Sequence, residues 1–222
     1  MFRHIHGAYD VEVSSAERAI RLGVLLSGSG RTLQNFIAEI AAGRLNAQIA
    51  IVVSSRAGVR GIERARSAGV PAVVVDRTAR RGVSFDDAIT AALADAGVEL
   101  VCMAGFLSLW HIPPPFDGRV TNIHPALLPA FGGPGMYGRR VHEAVLASGA
   151  TESGCTVHFA DNVYDHGPII LQRRVPVLPD DSPDRLAARV LEQELIAYPE
   201  AVRLFAAGRL RVQDDICTIA PE

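Results

Sequence analysis

The 222-residue sequence predicts one α/β domain with a doubly wound, mostly parallel central sheet and an antiparallel C-terminal portion. Strand and helix patterns alternate over about 120 residues, as in folds built from strand–helix–strand units. The early strands are continuous apolar runs, which is typical of parallel strands buried on both faces. After Pro125 the alternation ends, and two strand patterns follow each other across a short, turn-like connector.

The first half of the chain contains the strand–helix alternation. Its first helix pattern has apolar residues at 33, 36, 37 and 40, which form one face of a helix. Its third begins with acidic residues in the first turn, where the helix dipole favours them. The predicted strands are 21–27, 47–55, 71–76, 98–105 and 118–125, and the predicted helices are 30–43, 59–69 and 84–97.

The second half begins with a loop that is rich in glycine and proline. A long helix is predicted to begin after Ser182, with Pro183 at its first position, where proline is favoured. The remaining predicted elements are a loop over 127–138, a helix over 139–149 that ends at Gly149, and strands over 153–160 and 168–177.

The sequence shows no repeat, low-complexity tract or linker that would divide it further. We therefore predict a single domain over residues 21–212. Residues 1–20 are polar and aperiodic, and we interpret them as an N-terminal extension with a short helix around 14–19. Residues 213–222 are interpreted as a C-terminal tail.

Composition excludes several classes of chemistry. All 22 basic residues are arginine, so no lysine can form a Schiff base, a pyridoxal phosphate anchor or a Walker A loop. The three cysteines lie far apart and make neither a zinc knuckle nor a redox pair, and no metal is expected. The formal net charge of −2 predicts no nucleic acid or membrane partner. No apolar run approaches the roughly 18 residues of a membrane span, and no signal peptide is apparent, so a cytoplasmic protein is expected.

Gly28 and Gly30 lie directly after the first strand, where the first helix begins. Glycine permits a tight turn, and the free amides and dipole of a helix N-terminus attract anions. Position 33 is leucine, so the dinucleotide fingerprint GxGxxG is incomplete, and a single phosphate is favoured over a dinucleotide. A turn that needs glycine and binds no ligand would account for the same residues.

Asn122 and His124 end the fifth strand, where open parallel sheets place their ligands. Two residues apart on a strand, their side chains point the same way. An amide can donate to a developing oxyanion, and an imidazole can donate or accept a proton near neutral pH. Asp165, in the connector after the strand that carries His158, would orient the His124 ring if folding brought the two together. Purely structural roles remain open for all four residues.

Six segments, in order, resemble the phosphoribosylglycinamide formyltransferases of purine biosynthesis, which are folate-dependent formyltransferases. These segments are GVLLSGSGRTLQ, MAGF, NIHPALLPAF, SGCTVHF, YDHGPIILQ and LEQELIAYP. The resemblance covers residues 21–212, and the NIHP…LLP segment is very specific for folate-dependent formyltransferases. It implies transfer of the formyl group of the co-substrate 10-formyltetrahydrofolate to the amine of glycinamide ribonucleotide. The oligomeric state, monomer or homodimer, is left open.

The resemblance also implies roles for individual residues. Many relatives carry Ser-Asn in place of Arg31-Thr32. The backbone amides are present with either pair of side chains. The Arg31 side chain can add a charge-assisted hydrogen bond to a phosphate or lie in solvent. Glu194 matches a glutamate that contacts the ribose. The matched catalytic residues are Asn122, His124 and Asp165, and the matched ribonucleotide-binding residues are Gly30, Arg31, Thr32 and Glu194.

A folate site is implied along the segment after the fourth strand. Position 108 is often arginine in relatives, so the contact of Ser108 stays open. An arginine before the third helix often meets the folate tail, and Arg81 or its neighbour Arg80 is nearest here. The matched folate-binding residues are Leu107, Ser108, Leu109, Trp110, Asn122 and Arg81.

Three other functions remain as alternatives. A methionyl-tRNA formyltransferase carries an additional C-terminal domain, for which the sequence after the long helix gives no sign. A formyltetrahydrofolate deformylase, a hydrolase, adds an N-terminal regulatory domain, and the 20-residue extension is too short to fold as one. A non-catalytic folate- or nucleotide-binding protein would not need Asn122, His124 and Asp165 together.

Overall fold

The structure, a computed structural model, describes residues 9–10, 18–77 and 83–221. Within these ranges the strands are β1 (Tyr9–Asp10), β2 (Ile20–Leu26), β3 (Ala47–Ser54), β4 (Ala72–Val74), β5 (Leu100–Met103), β6 (Val120–His124), β7 (Glu152–Phe159), β8 (Ile169–Pro176), β9 (Leu210–Gln213) and β10 (Ile216–Ile219). The helices are α1 (Arg31–Ala41), α2 (Arg60–Ser67), α3 (Phe85–Asp95), α4 (Arg139–Ala147) and α5 (Pro183–Ala206), with a 3-10 turn over Pro114–Phe116. Every strand and helix predicted for the domain is present, with ends that differ by a few residues at most.

Seven strands form the central sheet in the order β4-β3-β2-β5-β6-β7-β8. The strands from β2 to β6 are parallel, β7 is antiparallel to β6, and β8 is antiparallel to β7. The chain winds outward from β2 in one direction and then resumes at β5 on the other side. Such a reversal opens a crevice at the carboxyl ends of the two strands, where these sheets bind ligands. The predicted fold class is confirmed.

Strand β2 shows how the sheet is covered on both faces. Leu22, Val24 and Leu26 pack into a buried cluster with residues of α1 and α5, whereas Leu25 packs into a second cluster with residues of α3. Successive side chains of a strand point to opposite faces. The continuous apolar run of β2 therefore serves two helical layers, which is why it lacks the polar alternation of a half-exposed strand.

Helix α5 contains an internal proline, and the neighbouring helix compensates for it. Pro199 has no N–H to donate to the carbonyl of Leu195, four residues earlier. The side chain of Asn35, on α1, donates to that carbonyl from Nδ2 at 2.7 Å. The hydrogen bond satisfies the orphaned carbonyl and joins α1 to α5.

A buried tyrosine fixes α5 to the sheet. The hydroxyl of Tyr198 lies 3.2 Å from the carbonyl oxygen of Met103 and 3.0 Å from that of Thr121. Met103 is the last residue of β5, and Thr121 is the second residue of the neighbouring strand β6. Because Glu194 lies one turn before Tyr198 on α5, this anchor also positions the Glu194 carboxyl beside the end of the sheet.

A second, antiparallel sheet has the order β1-β9-β10. The sequence predicted no strand in the extension or the tail, because β1 has only two residues and β10 lacks a buried apolar face. The domain boundaries at 21 and 212 stay a prediction. The short helix predicted around 14–19 falls largely outside the described residues.

Candidate active site

A cleft of about 740 Å³ opens at the carboxyl ends of β2, β5 and β6. Its volume is within the range of small-molecule sites. Further walls come from the first turn of α4, the connector after β7 and one face of α5. The site residues predicted from the sequence that line it are Gly30, Arg31, Thr32, Leu107, Ser108, Leu109, Trp110, Asn122, His124, Asp165 and Glu194.

The turn between β2 and α1 presents free amide groups to the cleft. Gly30 is the N-cap of α1 with φ 67°, a left-handed conformation that favours glycine. The N–H groups of Arg31 and Thr32 belong to the first turn of the helix, where no intrahelical acceptor exists. A Cβ at position 30 would lie 2.7 Å from the Cα of Gly61. The turn alone therefore requires glycine, and the same turn leaves amides free for an anion.

Ser27 joins this turn to the segment that follows β5. Its Oγ accepts the N–H of Leu107 at 2.9 Å and lies 2.6 Å from the Oγ of Ser55. Its backbone N–H donates to the carbonyl of Gly105 at 3.0 Å. The turn predicted to bind the ribonucleotide phosphate and the segment predicted to bind the folate are thus held side by side.

The segment over residues 107–110 contributes an apolar wall, but its members differ in exposure. The side chain of Leu107 is exposed, whereas Trp110 is only 1% exposed. The Trp110 ring packs edge-on against Phe116 with centroids 5.8 Å apart, and its N–H donates to Thr90 Oγ1 at 3.3 Å. Trp110 therefore supports the wall from within the core and does not present its ring to a ligand.

The arginines predicted to meet the folate tail, Arg80 and Arg81, lie outside the described residues. Arg77, which the sequence analysis did not single out, is described. Its guanidinium lies 4.7 Å over the Phe85 ring and donates to the carbonyl of Leu109 at 2.6 Å. This cation borders the predicted folate segment. Spacing along the chain could not reveal it, because the contacts depend on the fold.

His124, at the end of β6, is 3% exposed and has an acceptor at each ring nitrogen. Nε2 lies 2.8 Å from the carbonyl oxygen of Phe131, and Nδ1 lies 3.4 Å from Oδ2 of Asp165. A carbonyl only accepts, so Nε2 carries a proton in this arrangement. A second proton on Nδ1 would meet the carboxylate. The surroundings of His124 therefore offer a hydrogen-bond acceptor to each ring nitrogen.

Asn122 is oriented by two neighbours. Its Nδ2 lies 3.1 Å from Nε2 of His158 and 3.2 Å from Oδ1 of Asp165. Nδ1 of His158 lies 2.7 Å from the carbonyl oxygen of Phe159, so this nitrogen carries the ring proton and Nε2 accepts from Asn122. Burial lowers the pKa of His158, which favours this neutral form. His158 thus fixes which way the Asn122 amide points.

Folding brings Asp165 to His124, as the catalytic interpretation of the sequence requires. Asp165 has φ 52°, a left-handed conformation that aspartate tolerates better than most residues. Its Oδ2 accepts the N–H of Gly133 at 3.0 Å. Burial raises the pKa of Asp165, but the hydrogen bond and charge of His124 and the Gly133 N–H outweigh burial, so the pKa is lowered. The group is therefore a carboxylate at neutral pH.

Glu194 faces the same cleft from α5 and is half-buried. Burial raises its pKa to about 7, although the positive charges of Arg31 and His124 act in the opposite direction. Near neutral pH this carboxyl group exists in both forms, and either can hydrogen-bond to a hydroxyl group. The side chain of Arg31 is exposed at the mouth of the cleft.

Two buried cysteines are poor nucleophiles, and the described residues show no cluster that would hold a metal ion. Burial raises the pKa of the Cys102 and Cys155 thiols to about 12, so neither supplies a thiolate at neutral pH. Among the described residues, no group of three or more His, Cys, Asp or Glu side chains is arranged to hold a metal ion. No helix in this part of the chain is long and apolar enough to cross a membrane.

His142 also lines the cleft, from the first turn of α4, although the sequence analysis did not single it out. Its one signal in the sequence is its position four residues after Gly138, at the end of the glycine-rich loop. A histidine on the buried face of a helix is more often structural, which is why the pattern alone could not select it.

The sequence matches the formyl transferase family over residues 20–202, which is most of the chain. The chain therefore belongs to the formyl transferase family. The names of its relatives specify a reaction more narrowly than the family name does. The phosphoribosylglycinamide formyltransferase of Haemophilus influenzae is 37% identical over 201 residues, covering 88% of this chain and 92% of that protein.

The crystal structure of glycinamide ribonucleotide transformylase 1 from Symbiobacterium toebii has the same fold. It superposes with a TM-score of 0.84 at 42% identity, covering 94% of this chain and 100% of the other. The trifunctional purine biosynthetic protein adenosine-3 of Drosophila pseudoobscura is 41% identical over 208 residues, but the chain spans only 15% of its length. The resemblance stated from the sequence motifs is confirmed.

Proposed function

We propose that this chain transfers the formyl group of 10-formyltetrahydrofolate to the amine of glycinamide ribonucleotide, giving formylglycinamide ribonucleotide and tetrahydrofolate in purine biosynthesis. The observation that carries the proposal is the cluster of Asn122, His124 and Asp165 in one cleft, between a turn with free amides and an apolar wall. Membership of the formyl transferase family supports the same reaction.

The two ends of the cleft fit two different substrates. A phosphate group suits the turn at residues 30–32, because the free amides and the dipole of α1 attract an anion there. Ribose hydroxyls suit Glu194, which faces the same end. The flat pterin suits the wall at residues 107–110. The anionic folate tail suits an arginine, which is either Arg77 or one of the sequence-predicted Arg80 and Arg81. The bound folate supplies the formyl carbon that the amine attacks.

His124 supplies the proton that the reaction needs at the attacked carbonyl. The Nε2 proton, which the Phe131 carbonyl accepts in the free protein, is the one available to a developing oxyanion. Asp165 keeps the ring in place from Nδ1 and stabilises its positive charge. With ordered water, the same imidazole can pass a proton from the amine toward the folate leaving group.

Asn122 supports the oxyanion from the adjacent position on β6. Both of its amide protons are engaged in the free protein, with His158 and Asp165. Asn122 can donate to substrate only by releasing one of these contacts. We expect the bond to Asp165 to open, because His158 has no other donor at its Nε2 among the described residues.

The activity is tested by following the loss of 10-formyltetrahydrofolate with and without glycinamide ribonucleotide. Turnover that requires the amine, with formylglycinamide ribonucleotide as product, supports the proposal. Turnover without the amine would identify a deformylase, and binding without turnover would identify a non-catalytic folate-binding protein. The cytoplasmic location, the absence of a metal requirement and the monomeric or homodimeric state stay predictions.

A further inference from the structure

His142 is a buried polar side chain in the wall of the cleft that the proposed reaction does not yet use. It is 4% exposed, and its Nδ1 has no hydrogen-bond partner among the described residues. Buried polar atoms in folded proteins are almost always hydrogen-bonded, so an unpaired one needs a physical reason. Nδ1 is enclosed in the free protein, but the side chain borders the cleft, so a ligand bound there can meet the imidazole ring.

The surroundings of His142 indicate what kind of ligand this is. Helices α1 and α4 both pack against α5, and both open their N-termini to the same end of the cleft, at Gly30 and Gly138. Helix dipoles favour negative charge at that end. The positive charges of Arg31 and His124 act on His142. Two helix N-termini and a nearby guanidinium make this corner attractive to an anion.

Two sets of acidic groups also face this corner: Glu194, whose pKa burial raises to about 7, and the carboxylates that pair with Arg139. Arg139, in the first turn of α4, donates to Glu143 at 2.8 Å and to Asp184 of α5 at 2.8 and 2.9 Å. Arg139 is thus paired with two carboxylates, and the three side chains together carry a net charge of −1. Neither Arg31 nor His142 forms an ion pair with a carboxylate among the described residues, so both can receive an added negative charge beside the amides of residues 30–32.

We propose that His142 binds the phosphate of the ribonucleotide together with the turn at residues 30–32, and takes up a proton as the phosphate binds. The proposal rests on the proposed function, since it assigns a residue to the ribonucleotide end of that site. It makes His142 a binding residue for the substrate phosphate and leaves the formyl transfer itself to the residues around His124.

The charges around His142 set the sign of the effect. Burial lowers its pKa, and the positive charges of His124 and Arg31 lower it further, so the free protein holds a neutral ring at pH 7. A phosphate dianion next to the ring raises the pKa again. The complex therefore holds one proton more than the free protein, and ribonucleotide affinity falls as pH rises through the pKa of the complex.

The first test compares His142→Gln with wild type on two amine substrates, glycinamide ribonucleotide and the same compound without its phosphate. Glutamine keeps a polar group and suits a helix, but cannot ionise. We expect KM for the ribonucleotide to rise about 10- to 100-fold, as for a lost charge-assisted hydrogen bond, with kcat nearly unchanged. The dephosphorylated substrate should show the same KM in both proteins.

Val145→Ala is the matched control. Val145 is buried on the same face of α4, one turn after His142, but does not line the cleft. It reports on any general loosening of the helix. An equal rise in KM for both substrates in His142→Gln, or the same rise in Val145→Ala, would overturn the proposal.

The second test measures proton uptake on ribonucleotide binding, which does not require turnover. Wild type is titrated with glycinamide ribonucleotide at pH 7 to 8.5, in buffers of different ionisation enthalpy, where the phosphate is already a dianion. We expect net uptake of up to one proton, and a smaller uptake in His142→Gln but not in Val145→Ala. Wild type that takes up no more protons than His142→Gln would overturn the proposal.

The outcomes also separate this proposal from the proposed function. Wild type that binds the ribonucleotide with proton uptake but transfers no formyl group would contradict the enzyme activity and leave the role of His142 intact. Normal formyl transfer by wild type, with the ribonucleotide KM and the proton uptake unchanged in His142→Gln, would support the enzyme activity and contradict the role of His142. Wild type that does not bind the ribonucleotide at all would contradict both.

Discussion

Replacing Asp165 with asparagine tests whether the carboxylate beside His124 acts through its charge. Asparagine has the same shape and also tolerates a left-handed backbone, here φ 52°, so the chain path should not change. The substitution places an NH₂ group where one carboxylate oxygen was. Because the two oxygens face N–H groups of Asn122, Gly133 and His124, at least one donor then meets another donor.

The expected loss follows from these contacts. A hydrogen bond to a charged group contributes about 1.5–3 kcal/mol, and about 1.4 kcal/mol corresponds to a factor of ten in rate. We therefore expect kcat/KM for formyl transfer to fall about 10- to 150-fold in Asp165→Asn. Because the pKa of Asp165 is lowered in the folded protein, its carboxylate stabilises the fold above the ordinary value of 3.8. That stability is lost as pH falls through the folded pKa, so the two proteins should become equally stable in strong acid.

The assay follows the loss of 10-formyltetrahydrofolate at varied glycinamide ribonucleotide concentration, on protein shown by circular dichroism to be folded. Asp214→Asn is the matched control. Asp214 also has a left-handed backbone, φ 50°, but lies in the turn between β9 and β10, away from the cleft. We expect its kcat/KM to stay within about twofold of wild type.

Retention of more than half of the wild-type kcat/KM in Asp165→Asn would show that the charge does not act on the reaction. A comparable loss in Asp214→Asn would show that the substitution acts through the backbone. Either result would refute the role derived from the contact with His124.

Three further variants test other parts of the site. His124→Ala should lower kcat by about 10² to 10⁴ while calorimetry shows nearly unchanged ribonucleotide binding; more than a tenth of wild-type turnover would contradict the assignment. Glu194→Gln should melt at a higher temperature than wild type at pH 8 but not at pH 4. Folding raises the pKa of the Glu194 carboxyl from 4.5 to about 7, so its ionisation destabilises the folded protein, by at most about 3 kcal/mol. Gly167→Ala should lower the activity and also the melting temperature, the latter by about 3 °C or more. The added Cβ would lie 2.1 Å from the carbonyl oxygen of Phe159 and displace the connector that holds Asp165. An unchanged melting curve would contradict that clash.

Local sequence patterns were sufficient for the sheet and for part of the site. Continuous apolar runs predict buried parallel strands, and the two-residue period of a strand places Asn122 and His124 on one face. The turn at Gly30 was equally visible, because two closely spaced glycines between a strand and a helix are typical of a tight turn with a left-handed residue.

The contact between Asp165 and His124 could not be read from spacing. It exists because β7 runs antiparallel to β6 with His158 opposite Asn122, so the connector after β7 returns over the end of β6. Strand register of this kind depends on pairing between distant segments. Trp110 shows the same limitation, since its position in an apolar segment does not reveal that its ring turns into the core.

The proline in α5 bears on how the ribonucleotide end of the cleft is built. An internal proline costs a helix about 3 kcal/mol or more, partly because a carbonyl loses its donor. Here the carbonyl of Leu195 is satisfied by Asn35 of α1. Asn35 lies one turn after Arg31, and Leu195 directly follows Glu194. This hydrogen bond, together with the contact between the Phe36 and Tyr198 rings, therefore helps to fix the N-terminus of α1 relative to the Glu194 carboxyl. Pro199 weakens α5, but it also frees the carbonyl of Leu195, which then accepts the hydrogen bond that joins α5 to α1 beside the site.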